Sequence, residues 1–285
     1  MSYEFIALHQ DHYPISRLCN ALDVSRQGYY AWRDRAPSAR QRENAKLAIH
    51  IEQIFRQSNA TYGSPRIRQE LAARGFSCGY QRIRRLMKQL GLKVRHRKRK
   101  VPRTTQANPN HFKYANVLNR NFKAEAPNRK WLSDITYIAT TKGWVYMAGV
   151  MDLYSRRIVG LAIDTHMETS LVERALLMAL AERNPKPGLL HHSDQGSQYT
   201  SWIYTTILHD RQARISMSRK GNCWDNAPME SFWGTLKAEC AYEPFVDVVD
   251  ARTKIFAYTI GWYNRQRRHS ALDFLSPMHY EQLKN

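Results

Sequence analysis

The hydrophobic rhythm of the chain changes at Pro127, and that change restricts the fold to two dissimilar parts. Ahead of it, apolar residues recur three and four apart, as on one helix face; behind it they alternate with polar residues, as along a strand. In PISRLCNALDVSRQGYYAWRDR (14–35), Ile15, Leu18, Cys19 and Leu22 share a helical face, Asp23 to Ser25 make a turn, and a second helix runs through Trp32. Leu47, Ile51, Ile54 and Phe55 mark a connecting helix over 41–56. A second helix pair follows: Pro65 suits a first turn, Ile67 and Leu71 give one apolar face, Gly75 breaks it, and Ile83, Leu86, Met87 and Leu90 give the next. KVRHRKRKVPR (93–103) and the aperiodic TTQANPN then read as a basic linker.

After Pro127, WLSDITYIAT, WVYMAGVMDLYS and RRIVGLAIDT read as three strands, GLLHHSD as a fourth and ISMS as a fifth. Helical spacing over 169–183, 201–211 and MESFWGTLKAEC places helices among them. The order β-β-β-α-β-α-β-α predicts an α/β domain with a mixed five-stranded sheet, preceded by an all-α helix-turn-helix region. The expected divisions are 1–60, 61–92, 93–125, 126–241 and a helical extension over 242–285.

Net charge is +20, and it is unevenly placed. Residues 1–125 hold 25 Lys/Arg against 8 Asp/Glu, whereas residues 126–285 hold 19 against 16. An excess of this size points to a polyanionic partner such as nucleic acid; a solvated basic surface is the alternative. Arg82, Arg84, Arg85 and Lys88 decorate the later helix, which would lie in the major groove of DNA or else be a packed helix with a wet basic face. Arg95, Arg97, Lys98, Arg99 and Lys100 would track a DNA backbone or tether the domains. In WYNRQRRHSALDFLSP, aromatics interleave with Arg267 and Arg268, which suits stacking and phosphate contact as well as packing on the core.

The apolar content, 43%, supplies a sizeable core, and no apolar run reaches the length of a membrane span. The start has no signal-like texture, so a cytoplasmic protein, gathered on the nucleoid when bound to DNA, is expected. Cys19, Cys78, Cys223 and Cys240 lie far apart with no CxxC pair, so reduced thiols are expected rather than disulfides or cysteine-bound zinc.

Candidate chemistry rests with the acids. Asp134 interrupts a strand-like stretch, and Asp152, at another strand end, has an equal claim. Asp194 ends an apolar strand ahead of Gln195 and Gly196, a usual ligand position in α/β sheets, or it caps the next helix. His191 and His192 precede it; strand histidines are more often structural. Glu230 and Lys237, seven apart, return to one helix face, an arrangement also common on solvated helices. Carboxylates gathered in one place repel by roughly 4 kcal/mol per pair at ~4 Å and a dielectric of about 20, so convergence would imply a hard cation.

The stretches WLSDITYI, GVMDLYSRRIVG, HHSDQGSQYTS, SRKGNCWDNAPMESFWGTLKAE and WYNRQRRHSALDFLSPMHY, with YGSPRIRQEL upstream, resemble the OrfB transposases of bacterial insertion sequences of family three type. Their core is similar to retroviral integrases and RNase H-like. The resemblance implies a DNA transposase of the Asp-Asp-Glu type, with Asp134, Asp194 and Glu230 as the acidic triad and Lys237 contacting DNA. Asp152 and His192 then take supporting roles. It implies two Mg2+ ions, replaceable by Mn2+, with Asp134 bridging them, Asp194 on one and Glu230 on the other. It further implies cleavage at element ends followed by strand transfer, double-stranded DNA as partner, a homo-oligomer on DNA, and an OrfA product or OrfAB fusion. No leucine heptad is visible, so the chain looks like the downstream product. A catalytically inactive DNA-binding regulator is the rival reading.

Overall fold

The computed structural model describes residues 2–95, 112–219 and 222–284. Arg97, Lys98, Arg99 and Lys100 lie outside them, within the undescribed residues 96–111 of the expected linker. The chain divides into two compact units, Met1–Glu52 and Gln53–Asn285. Among the described residues no helix is long and apolar enough to cross a membrane.

The first unit holds α1 (Ser2–His9), α2 (Ile15–Ala21), α3 (Arg26–Arg33) and most of α4 (Ala39–Gln57). The expected helix-turn-helix is α2–α3, and Ser25 starts α3 by accepting the Gly28 N–H at 3.0 Å, satisfying one donor left over at a helix start. Ile6, Cys19 and Tyr29 form its buried centre. Ile6 belongs to α1, which carries no clear apolar period and was not expected.

The second unit opens with α5 (Ser64–Ala73) and α6 (Tyr80–Gln89). Ile67 and Leu71 face Ile83, Leu86 and Met87 as buried residues, so the apolar period places both helices. The basic excess lies in this unit's leading segment: residues 53–125 hold 18 Lys/Arg against 2 Asp/Glu.

Five strands follow: β1 (Lys130–Thr140), β2 (Gly143–Asp152), β3 (Ile158–Asp164), β4 (Leu190–Ser193) and β5 (Arg214–Met217). Their order is β3-β2-β1-β4-β5, antiparallel between β1, β2 and β3 and parallel where β4 and β5 join. This is the mixed α/β sheet expected. Helix α7 (Thr169–Arg183) lies on one face, where a Cβ at Gly160 would stand 2.1 Å from the Ala175 carbonyl oxygen, so only glycine permits that approach. α8 (Trp202–Asp210) joins the same side.

The opposite face carries α9 (Ala227–Glu239), α10 (Val248–Phe256) and a π-helical continuation, Ala257–Tyr263. Asn264, just past it, closes onto β3: its Oδ1 accepts the Ile158 N–H at 3.0 Å and its Nδ2 donates to the Ile158 carbonyl at 2.8 Å. α11 (Pro277–Lys284) returns Glu281 to Ser155, Arg157 and Arg183. Cys19, Cys78 and Cys240 are free thiols.

Candidate active site

Parallel pairing sets Leu132 of β1 beside His192 of β4, and both strands then run out toward an acid two residues on. Side chains alternate with period two, so Asp134 shares a sheet face with Leu132, as Asp194 shares one with His192. Asp194 does not cap α8, whose start is closed by Ser201 accepting the Tyr204 N–H. Its Oδ1 instead accepts the Gly196 N–H at 2.8 Å, a local turn that holds the carboxylate at the end of β4.

Helix α9 supplies the third acid. Met229, Phe232, Trp233 and Leu236 are buried against the sheet, which orients the remaining positions. Trp233 Nε1 donates to Asp134 Oδ2 at 2.9 Å, and Lys237 Nζ donates to Thr136 Oγ1 at 2.7 Å while standing 4.8 Å from the Tyr137 ring centre. Four residues of helix advance about 6 Å and two of strand about 6.8 Å, so helix and strand keep step over this stretch. Glu230, one turn before Trp233, lies exposed in the first turn, where the helix dipole also favours an acid.

Electrostatics tie the acids together. The Asp134 carboxyl is pushed up to about 8, first by burial and then by Asp194, with Glu230 adding to the push. The Trp233 indole and the Ile135 N–H oppose that rise. Two acids far along the chain from Asp134 therefore act on its carboxyl. Among the described residues, however, no group of three or more His, Cys, Asp or Glu side chains is gathered closely enough to hold a metal ion. Mutual repulsion favours such an open spacing. The donor chemistry, carboxylate oxygens alone, fits a hard cation such as Mg2+.

Asp152 and the two strand histidines have defined partners. Asp152 is fully buried and accepts from the Asn128 N–H at 2.7 Å, the Tyr154 N–H at 3.0 Å and Arg183 at 3.2 Å. Burial raises its carboxyl and those donors oppose the rise. His192 is buried between the hydroxyls of Ser216 (2.8 Å) and Ser218 (3.1 Å), and burial holds it down to about 4. His191, beside Ser133 and Tyr204, is held down to about 3 by burial. Both imidazoles are neutral near pH 7.

Of the basic candidates, Arg84, Arg85 and Lys88 are exposed on α6, Arg82 is half-buried, and Arg95 is exposed with its guanidinium 4.9 Å from the Tyr242 ring centre. Arg267 departs from the expectation of a DNA contact. It is 4% exposed and pairs with Glu239 at 2.7 Å, so its charge is neutralised inside the protein. Arg268 pairs with Glu70 at 2.6 Å and donates to the Phe274 carbonyl at 3.1 Å.

Two features were missed. Asp225, fully buried ahead of α9, accepts from Asn116 (2.8 Å), Arg120 (2.8 Å) and Arg219 (3.1 Å). These donors hold its carboxyl well below the usual range despite burial, and they anchor the turn that leads to Glu230. Gly149, paired with Asp134 across β1 and β2, is the other. Neither has a local signal in the sequence, since what gives each its role lies on a different element of the fold.

A mixed five-stranded sheet with acids at the exit of its parallel pair defines a protein of the integrase-core class. Residues 124–223 and 211–277 match integrase core domain families, and residues 41–100 match an HTH-like domain family. The chain is 44% identical over 261 residues to an insertion element IS600 uncharacterized 31 kDa protein of Shigella sonnei, covering 91% of this chain and 96% of that one. It is 37% identical over 284 residues to the transposase InsF for insertion sequence IS3A of Escherichia coli (strain K12), covering 99% and 98%. The HTLV-2 integrase catalytic core domain in complex with magnesium is 14% identical, with a TM-score of 0.42 over 55% of this chain and 97% of that one. The chain belongs to the IS3 family of insertion-sequence transposases.

Proposed function

We propose that Asp134, Asp194 and Glu230 form one divalent-metal site at which the protein cuts insertion-sequence ends and joins them to target DNA. What carries this reading is placement: β1 and β4 pair in parallel two residues before Asp134 and Asp194, and Trp233, one turn after Glu230, donates to Asp134 Oδ2. A half-buried acid raised by two like charges gains from a cation shared among them. Asp134, Asp194 and Glu230 would together hold the cations through their carboxylate oxygens. When bound, two Mg2+ ions, or Mn2+ in their place, neutralise the charge that builds on the phosphate as an oxygen attacks in line.

The residues of the chain do the rest. Gly196 holds Asp194 in its turn, the clamped Asp225 fixes the start of α9, and Lys237, one turn beyond Trp233, offers its charge to the DNA backbone. No side chain forms a covalent intermediate with DNA; the reaction relies on positioning and charge neutralisation. α6 presents Arg84, Arg85 and Lys88 to the duplex, and several copies assemble on paired element ends, with an OrfA product or OrfAB fusion as the natural companion.

Asp194→Asn and Glu230→Gln test the reading with labelled terminal-repeat DNA and Mg2+. Both are expected to retain DNA and to lose nicking and joining by at least ~100-fold, since each removes a metal ligand. Joining retained by either variant would refute the triad. A wild-type chain that binds the ends without nicking them under Mg2+ or Mn2+ would instead identify a regulator.

A further inference from the structure

Asp134 is held by a contact that spacing along the chain does not reveal. Residues directly opposite in an antiparallel pair project to the same face, so the missing side chain of Gly149 leaves a gap beside Asp134. The Trp233 indole fills it. A Cβ at Gly149 would stand 2.7 Å from Trp233 Cη2 and 3.2 Å from Cζ2, too close for the ring to stay where it is. Trp233 itself is 4% exposed and its ring packs 4.8 Å from that of Phe232, centre to centre. The ring is thereby fixed from both sides, and its single N–H has one direction in which to donate.

That direction is Asp134 Oδ2, at 2.9 Å. An indole N–H donates and never accepts, so it takes one of roughly four lone-pair sites on a carboxylate and offers nothing that competes for a cation. A lysine or arginine in the same place would bring a positive charge that opposes cation binding. A phenylalanine would keep an aromatic ring, though a smaller one, and leave the carboxylate without the indole donor. Partners of this kind orient ligands and tune their affinity for metal.

We propose that Trp233, seated in the gap left by Gly149, is a positioning residue that orients the Asp134 carboxylate for divalent-cation binding; this rests on the triad reading above. The whole chain is used for the test, with Mn2+ binding followed by electron paramagnetic resonance beside thermal unfolding. Trp233→Phe keeps an aromatic ring and removes the N–H. It is expected to weaken Mn2+ binding by about 10–100-fold, with retention on DNA unchanged. A role in packing alone would lower the melting temperature and leave Mn2+ affinity, read well below that temperature, untouched.

Asp134→Asn is the comparator that separates the two readings. If it loses Mn2+ while Trp233→Phe binds as wild type, the positioning role is overturned and the triad stands. If Asp134→Asn itself binds as wild type, the metal site fails and the positioning role falls with it. Should the Phe variant not fold, Gly149→Ala takes its place, since the added Cβ would press the indole away from Asp134. It is expected to weaken Mn2+ binding, and a folded Gly149→Ala protein that binds Mn2+ as wild type overturns the proposal.

Discussion

Replacing Asp134 with asparagine should make the metal-free protein more stable, and more so as pH rises. In the folded chain the carboxyl is pushed up to about 8 by burial and by Asp194, whereas an unfolded aspartate titrates near ~3.9. Between those values the folded state holds a proton that the unfolded state has released. Stability therefore falls as pH climbs through that window, by at most about 1.4 kcal/mol per pH unit, and is level again above it. The full span would amount to about 5 kcal/mol, but Asp134 is only half-buried and water screens it, so about 2 kcal/mol is the working figure at pH 8.

Asparagine keeps a carbonyl oxygen for the Trp233 N–H and carries no charge to repel Asp194. For a folding unit of this size, about 2 kcal/mol corresponds to ~4–8 °C in melting temperature. Calorimetry in chelator from pH 4 to 9 reads the difference. The two proteins should melt together near pH 4 and separate steadily, with the variant ahead at pH 8; Mg2+ should then raise wild type alone. A gap independent of pH, or wild type the more stable at pH 8, would refute the electrostatic reasoning.

The charge on α6 should govern the salt dependence of DNA binding. Changing Arg84, Arg85 and Lys88 together to alanine should reduce the slope of log K against log salt by up to about 2.7, near 0.9 for each phosphate no longer neutralised. Removing residues 1–38, with four Lys/Arg and four Asp/Glu, should leave it unchanged, and filter binding across salt concentrations distinguishes the two. Arg267→Ala should act on stability, because among the described residues it leaves the Glu239 carboxylate the Tyr258 hydroxyl as side-chain donor. Breaking a buried pair of this kind costs about 3–5 kcal/mol, read by urea unfolding. An intact midpoint with weakened DNA affinity would return Arg267 to the DNA.

Periodicity made the sheet legible because β3 is covered by helices on both faces and reads as a near-continuous apolar run, whereas the later half of β1, less fully covered, alternates. The same logic placed α5 and α6. It failed for α1, whose apolar residues follow no single stripe, and for the π-helical turn, where the period itself shifts. Asp134, Asp194 and Glu230 could be singled out as a proposed triad only because their surrounding motifs resemble a known family. Spacing alone left Asp152 an equal rival to Asp134, and it took coordinates to place Asp152 among Asn128, Tyr154 and Arg183. Arg267 reads as a surface cation because a one-dimensional pattern does not reveal that Glu239 meets it. Trp233 reads as one more apolar residue of a helix, since its donor function depends on which strand lies beneath.

The most direct measurement is the location of Mn2+ by anomalous diffraction in crystals of the full chain with element-end DNA. Scattering peaks should stand about 2.0–2.3 Å from carboxylate oxygens of Asp134, Asp194 and Glu230, the range for hard cations on oxygen. Peaks held by other side chains, with the three acids still apart, would contradict a shared metal site.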